Sequence, residues 1–107
     1  MTKSHLTNLF AIISDDNPDS LTLRTIHRPA HLARLEALQQ EGRLLLAGPF
    51  PKNAEEGFLG SLIVASFDSL EQAKLWAEQD PFFLFGIYAR SDVRPFRMSD
   101  LIRKTLP

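Results

Sequence analysis

Four short segments, of which the first three are largely apolar, constrain the fold of this chain more than any other feature of its sequence. They cover residues 9–13, 44–47, 62–67 and 87–93, and their lengths and flanking turn residues are typical of β-strands. Apolar residues at helical spacing separate the first segment from the second, and the third from the fourth. The order β-α-β-β-α-β predicts a ferredoxin-like α+β fold, with a four-stranded antiparallel sheet and two helices on one face.

Prolines and glycines set the expected boundaries of these elements. A short helical segment is predicted over residues 21–26, followed by a separate helix whose first turn holds Pro29. The second helix should close at Asp80, because a residue that precedes a proline resists the helical conformation. Residues 49–60 include two prolines and two glycines, and they are predicted to form a loop between the second and third strands.

Length and composition predict a single domain over residues 1–107 and exclude several functions. A chain of 107 residues can build one core but not two. The net charge of -1 gives no electrostatic signal for nucleic acid or for an anionic membrane. The lack of cysteine excludes disulfides, a thiolate nucleophile and cysteine-based metal sites. The first apolar stretch is too short for a signal peptide or a membrane span, so a cytoplasmic location is expected.

The first and third predicted strands are apolar on both faces. Strands of this kind are buried on both sides of a sheet, and two helices can cover only one side. A second copy of the chain, with sheet facing sheet, is the simplest cover for the other side, and this predicts a homodimer with a shared interior. The alternative is that the C-terminal segment of the same chain folds over the open face.

One pair of side chains offers acid–base chemistry. His31 lies near the start of the predicted helix at Pro29, and Asp80 follows the second helix. Histidine exchanges a proton between pH 5 and 8, and a carboxylate on one ring nitrogen fixes the tautomer, so that the other nitrogen can face a substrate. Without such contact, His31 would be a histidine at the edge of the core and Asp80 a turn residue at a helix end.

Four further residues are candidates for binding a substrate. Arg28 could hold an anionic group and Ser61 a ligand oxygen, while Gly48 and Pro49 would shape the backbone beside them. Each also has a purely structural interpretation: a surface arginine, the first residue of a strand, and a plain turn.

The sequence does not favour a metal or another cofactor. His27 and His31 are four residues apart and could share a helix face, but Pro29 lies between them. No HExxH motif or cysteine accompanies them. A phosphate-binding glycine loop is also missing from the sequence. We therefore predict a protein without a cofactor.

The motifs around these residues resemble those of the YciI-like (YCII-related) family. The similar segments cover nearly the whole chain in order and are RPAHLARL from Arg28, EGRLL from Glu41, AGP from Ala47, GFLGS from Gly57, DPF from Asp80 and VRPF from Val93. The resemblance implies a dimeric α/β barrel of ferredoxin-like subunits and a pocket centred on a histidine–aspartate pair, here His31 and Asp80. It also implies a functional position for Ser61. The family is similar in fold to muconolactone isomerases, and one branch is associated with dehydrochlorination of chlorinated hydroxyquinols.

Two functions follow from these observations. The first is a small cofactor-free enzyme in which His31, oriented by Asp80, moves a proton on a small cyclic or aromatic oxygenated metabolite, as an isomerase or an HX-eliminating lyase. The alternative is a non-catalytic metabolite-binding or regulatory homodimer. A third hypothesis is a purely structural dimerisation module, which predicts no cavity beside His31. Catalysis requires a ring nitrogen of His31 that is open to a cavity, whereas a binding protein tolerates two capped nitrogens.

Overall fold

The computed structural model describes residues 7–103 and has the expected α+β ferredoxin-like fold. The elements in this range are β1 (Leu9–Asp16), α1 (Leu21–Gln40), β2 (Leu44–Pro51), β3 (Phe58–Ser66), α2 (Leu70–Glu78), α3 (Pro81–Leu84), β4 (Tyr88–Phe96) and α4 (Asp100–Arg103). The four strands form one antiparallel sheet in the order β2-β3-β1-β4. Residues 1–6, on which the expectation about a signal peptide partly rested, lie outside the described range. Between residues 7 and 103, no helix is both long and apolar enough to cross a membrane.

The main core lies between one face of the sheet and the two longer helices, α1 and α2. Side chains alternate between the faces of a strand, so every second residue of β1 and β3 points into this layer. The buried residues of the core are Phe10, Ile12, Leu38, Ile63, Ala65, Phe67, Ala73 and Ala77. Burial of each large apolar side chain in such a layer contributes about 1.5–3 kcal/mol to folding, and this packing fixes α1 over the sheet.

Helix α1 runs without interruption through Pro29, so the prediction of a separate helical segment over residues 21–26 was wrong. Proline inside a helix removes one hydrogen bond and costs about 3 kcal/mol. The buried residues of α1 are Arg24, His31 and Leu38, which are spaced by seven and therefore lie on one side of the helix. These residues lie on both sides of Pro29, so both halves of α1 pack against the same sheet. These contacts outweigh the free-energy cost of a proline inside the helix.

The second strand is longer than predicted, since β2 continues through Gly48 and Pro49 to Pro51. The interpretation of Gly48 and Pro49 as a plain turn was therefore wrong, and the predicted loop over residues 49–60 shrinks to residues 52–57. Strand β2 is at an edge of the sheet. An edge strand tolerates proline because the missing N–H can face away from the neighbouring strand.

The opposite face of the sheet is only partly covered. Leu9, Ala11 and Val64 are buried there together with Met98, which follows β4. The C-terminal segment thus covers part of this face, as the alternative to a dimer anticipated. The register places Leu46 beside Val64, and Leu46 remains 46% exposed. The homodimer stays a prediction.

Candidate active site

A cavity of about 480 Å³ lies between α1 and strands β2 and β3. This volume is typical of pockets that bind small molecules. Among the residues that line it are Arg24, Arg28, His31, Gly48, Pro49, Phe58, Ser61 and Phe82. Five of the six site residues predicted from the sequence therefore border one space, and the sixth, Asp80, contacts His31.

His31 projects from α1, and its two ring nitrogens have different surroundings. The Nδ1 atom lies 2.8 Å from Oδ1 and 3.0 Å from Oδ2 of Asp80. Since a carboxylate only accepts hydrogen bonds, Nδ1 carries a proton, and in the neutral ring Nε2 is then the acceptor. His31 lines the cavity, and no hydrogen bond to Nε2 is found within residues 7–103. The ring also stacks on Phe82, with centroids 4.0 Å apart and planes 3° apart.

Asp80 is held by the helix that follows it. Helix α2 ends at Glu78, and Asp80 is the N-cap of the four-residue helix α3, so its interpretation as a residue at the end of the second helix was incomplete. Its Oδ1 atom accepts a hydrogen bond of 2.9 Å from the backbone N–H of Phe82. Capping thus fixes the carboxylate from one side and His31 fixes it from the other, while the same short helix supplies the Phe82 ring.

Arg34, one turn after His31, places a further positive charge near this pair. Its guanidinium lies 4.2 Å from the ring centroid of Trp76. Burial lowers the pKa of Arg34, and the Asp80 carboxylate opposes this shift. The Nη1 atom is buried and has no hydrogen-bond partner in the described part of the chain. Arg34 therefore places a positive charge near the Asp80 carboxylate.

Arg24, a buried residue of the cavity, was not among the predicted site residues. Its Nε and Nη2 atoms donate to the two carboxylate oxygens of Asp16 at 2.7 and 2.9 Å. The Nη2 atom also donates to Ser61 Oγ and to the Gly60 carbonyl, both at 3.1 Å. A signal was present, because Arg24 lies seven residues before His31 and shares its side of α1. An arginine on the buried face of a helix indicates that its charge is paired with a buried partner.

The backbone at Gly60 positions Ser61. A Cβ atom at residue 60 would lie only 1.9 Å from the Ser14 carbonyl oxygen, so the close approach of β3 to β1 requires glycine here. The next side chain, Ser61, is buried and borders the cavity.

Tyr88 packs edge-on against the cavity residue Phe82, with ring centroids 5.6 Å apart. Its hydroxyl is buried and makes no hydrogen bond of good geometry with residues 7–103. Burial raises the pKa of Tyr88, and the neighbouring Ser61 hydroxyl lowers it by less. The phenol is therefore protonated at neutral pH.

The remaining candidates are placed as follows. Arg28 is exposed and borders the cavity, and it forms no ion pair with the described residues. A Cβ atom at Gly48 would meet nothing within 4 Å. His27 does not line the cavity and stacks on Phe85 at 4.2 Å. In the range 7–103, no three His, Asp or Glu side chains come together in a way that could hold a metal ion.

Comparisons with known proteins agree with this architecture. The profile of the YCII-related domain matches residues 8–97. Protein YciI of Escherichia coli O6:H1 is 47% identical over 94 residues, which are 83% of this chain and 96% of that protein. An uncharacterized protein of Haemophilus influenzae is 45% identical over 93 residues, which are 82% of this chain and 95% of the relative.

A solved structure is similar over most of its length. It is 5-chloro-2-hydroxyhydroquinone dehydrochlorinase (TftG) from Burkholderia phenoliruptrix AC1100, in complex with 2,5-dihydroxybenzoquinone. The match has a TM-score of 0.77 at 28% identity and covers 87% of this chain and 97% of TftG.

Proposed function

We propose that this chain, which belongs to the YCII-related domain family, is a cofactor-free enzyme that moves protons on a small oxygenated ring compound. His31 is the proposed acid–base catalyst, Asp80 orients it, and the reaction is an isomerisation or the elimination of HX. One observation carries the proposal: the carboxylate engages Nδ1 of His31, while the ring borders a cavity with Nε2 free of protein hydrogen bonds within residues 7–103.

The pair is suited to repeated proton transfer. The Asp80 contact keeps Nε2 available as a base, and the same carboxylate stabilises the imidazolium that forms when Nε2 takes up a proton. Stacking on Phe82 and capping of Phe82 N–H by Asp80 restrict rotation of both side chains. General acid–base catalysis by such a group contributes about 10²–10⁴-fold to a rate.

The walls of the cavity support an aromatic or quinonoid substrate. Phe58 and Phe82 both border the space, and a flat ring can stack on either. The similar structure TftG is named a dehydrochlorinase and contains a dihydroxybenzoquinone. This similarity favours a ring with several oxygens over an aliphatic substrate.

For a halogenated hydroxyhydroquinone the proposed elimination balances without an oxidant. One hydroxyl proton moves to the ring carbon that bears the halogen, which gives a ketone. A second hydroxyl proton then leaves and its electron pair forms a second carbonyl. The adjacent ring double bond shifts to the carbon that bears the halogen, and the halide departs with the carbon–halogen bonding pair. The products are a quinone and HX. Both proton movements are of the type that an imidazole performs.

We also propose that the chain forms a homodimer through the sheet face opposite the helices. Leu46, Phe50 and Phe96 remain 46%, 42% and 41% exposed, and strand alternation together with the register puts all three on this face. Exposed apolar side chains on one face favour association. Light scattering after size exclusion at micromolar concentration should give twice the chain mass, and a stable monomer would contradict this part of the proposal.

Chloride release from 5-chloro-2-hydroxyhydroquinone under anaerobic conditions tests the enzymatic function. The wild-type chain should release chloride and form a quinone that absorbs in the visible range, and His31→Ala should lower kcat/KM by about 100-fold or more. The matched control is His27→Ala, on the same helix but outside the cavity. Equal turnover by the His31 variant would contradict the proposed role. Tight binding of ring compounds without any turnover would favour the non-catalytic alternative.

A further inference from the structure

We infer that Arg24 and Ser61 form an oxyanion-binding site in the cavity, which holds a substrate oxygen that carries or acquires negative charge. The inference rests on the proposed function for the reaction, but it concerns ligand binding, which can be measured separately. It assigns the substrate to compounds with an acidic hydroxyl or an enolisable carbonyl.

Arg24 has five N–H donors, and the described part of the chain uses three of them. The Nε donor and one Nη2 donor are used by Asp16, and the second Nη2 donor is shared by Gly60 and Ser61. The two Nη1 donors have no hydrogen-bond partner within residues 7–103, although Arg24 is buried and borders the cavity. In a planar guanidinium, one Nη1 donor points the same way as the Nη2 donor that reaches Ser61.

The hydroxyl of Ser61 supplies a second donor at the same place. Arginine can only donate, so the contact of 3.1 Å from Arg24 uses the Ser61 oxygen as an acceptor. The Ser61 hydrogen then needs an acceptor of its own, and within residues 7–103 the neighbouring Tyr88 hydroxyl makes no hydrogen bond of good geometry with it. Because Ser61 borders the cavity, a ligand oxygen can accept this hydrogen together with one from Nη1.

The charges around the cavity favour an anion. Asp16 balances the charge of Arg24, so the guanidinium is held in place by the protein. Arg28 borders the same cavity and forms no ion pair with the described residues. Rigid donors aimed at an oxygen are most effective where negative charge develops during a reaction. When His31 removes a proton from the substrate, the proton goes to Nε2 and the electron pair ends on the substrate oxygen, which this donor pair can stabilise.

Binding of a charged and an uncharged ring tests the inference. The anionic probe is 2,5-dihydroxybenzoquinone at pH 7, whose hydroxyls are vinylogous acids, and the neutral probe is hydroquinone. Calorimetry should show that the wild-type chain binds the anion more tightly. Ser61→Ala should weaken binding of the anion by about 10- to 100-fold, the range expected for a hydrogen bond to a charged group, and should change binding of hydroquinone by less than about threefold.

Matched controls separate this effect from general damage. Ser66→Ala lies on the same strand outside the cavity and should bind both probes like the wild type. Arg24→Lys should also lose affinity for the anion, because lysine cannot reproduce the planar set of donors. If Arg24→Lys fails to fold by circular dichroism, the Ser61→Ala result decides alone.

The inference is overturned if Ser61→Ala binds the anion within about twofold of the wild type, or if the wild type does not prefer the anion. Either result leaves the proposed function intact as long as turnover depends on His31. Conversely, turnover that is independent of His31 would remove the proposed enzyme mechanism, while a loss of anion binding in Ser61→Ala would still support the oxyanion site.

Discussion

Two buried pairs, each of a basic and an acidic side chain, lie beside one cavity, and they differ in what they can do. Both basic partners project from α1 seven residues apart: Arg24 pairs with Asp16, and His31 pairs with Asp80. Arginine keeps its charge at any pH that a protein tolerates, whereas histidine exchanges its proton near neutrality. The two residues of α1 therefore suit different roles. Arg24 supplies a fixed charge that positions oxygen ligands, and His31 supplies a titratable group that moves protons.

The surroundings of the two carboxylates fit this division. Asp16 accepts three hydrogen bonds, two from Arg24 and one of 2.9 Å from Ser20. Asp80 accepts from His31 and from the backbone N–H of Phe82. If Asp80 loses His31, its carboxylate keeps the hydrogen bond from the Phe82 N–H, and the positive charge of Arg34 lies nearby. If Asp16 loses Arg24, an unpaired charge is left in the interior. The Arg24 pair should therefore matter more for stability, and the His31 pair more for turnover.

The largest expected effect on stability comes from breaking the permanent pair. Arg24→Met should lower the free energy of unfolding by about 3–5 kcal/mol, because removal of one partner leaves Asp16 buried and uncompensated. Urea denaturation followed by circular dichroism measures this loss. The double variant Arg24→Met/Asp16→Leu, which removes both charges, should recover a large part of it. A loss below about 1 kcal/mol in the single variant would show that the Arg24–Asp16 pair does not contribute substantially to the free energy of unfolding.

The backbone that presents Ser61 to Arg24 gives the next largest effect. Gly60→Ala should destabilise the chain by about 1–3 kcal/mol, since the added carbon would overlap the Ser14 carbonyl and the two strands would have to separate. Gly48→Ala is the matched control, because a Cβ atom at residue 48 has open space. If both variants unfold at the same urea concentration, the close approach of β3 to β1 does not constrain the site.

The titratable pair should respond in the opposite way, with a small change in stability and a large change in turnover. Asp80→Asn keeps an oxygen that can cap Phe82 N–H, so the expected loss of stability is about 1 kcal/mol. Turnover of the ring substrate should fall by about 100-fold, because the amide neither stabilises the imidazolium nor fixes the tautomer. Steady-state kinetics and urea denaturation on the same sample compare the two effects. A loss of stability as large as that of Arg24→Met would remove the distinction between the pairs.

The smallest effect concerns Tyr88, the only tyrosine of the chain. Tyr88→Phe removes a buried hydroxyl that lacks a good hydrogen bond, so stability at pH 7 should change by less than about 1 kcal/mol.

Alkaline pH should separate this variant from the wild type. Burial raises the pKa of Tyr88. Above pH 10, the unfolded wild type therefore releases a proton that the folded form retains, and its stability falls as the pH rises. The phenylalanine variant should lack this component, which denaturation at pH 8 and pH 11 would reveal. Parallel losses in both proteins would show that the phenol ionises as readily in the folded state as in the unfolded state.

The fold could be predicted from the sequence because the spacing of apolar residues indicates which faces of the strands and helices are buried. Strand alternation and helical periodicity were sufficient to predict the order of the elements. They also predicted that His31, Leu35 and Leu38 share one face of a helix. The extension of β2 through Pro49 was missed because proline usually ends a strand, and only the position of β2 at the sheet edge permits it. The continuation of α1 through Pro29 was missed for a similar reason. The helix loses a backbone hydrogen bond at the proline, and only its tertiary contacts with the sheet outweigh that loss.

The site was only partly visible in the sequence. His31 and Asp80 could be proposed together because few side chains of the chain can exchange protons near neutral pH. Arg24 was missed because an arginine is exposed by default, and its partner Asp16 lies on a strand whose contact with α1 depends on tertiary packing. The capping role of Asp80 was also hidden, because four residues of helix leave no periodic pattern.

The tautomer of His31 gives the most direct test of the account. Long-range ¹H–¹⁵N NMR spectra of the imidazoles, assigned with the His27→Ala and His31→Ala variants, report which nitrogen carries the proton. When the ring is neutral, the account predicts a protonated Nδ1 and an unprotonated Nε2 that shifts on addition of 2,5-dihydroxybenzoquinone. A neutral ring with its proton on Nε2, or an Nε2 resonance unchanged by saturating ligand, would contradict it.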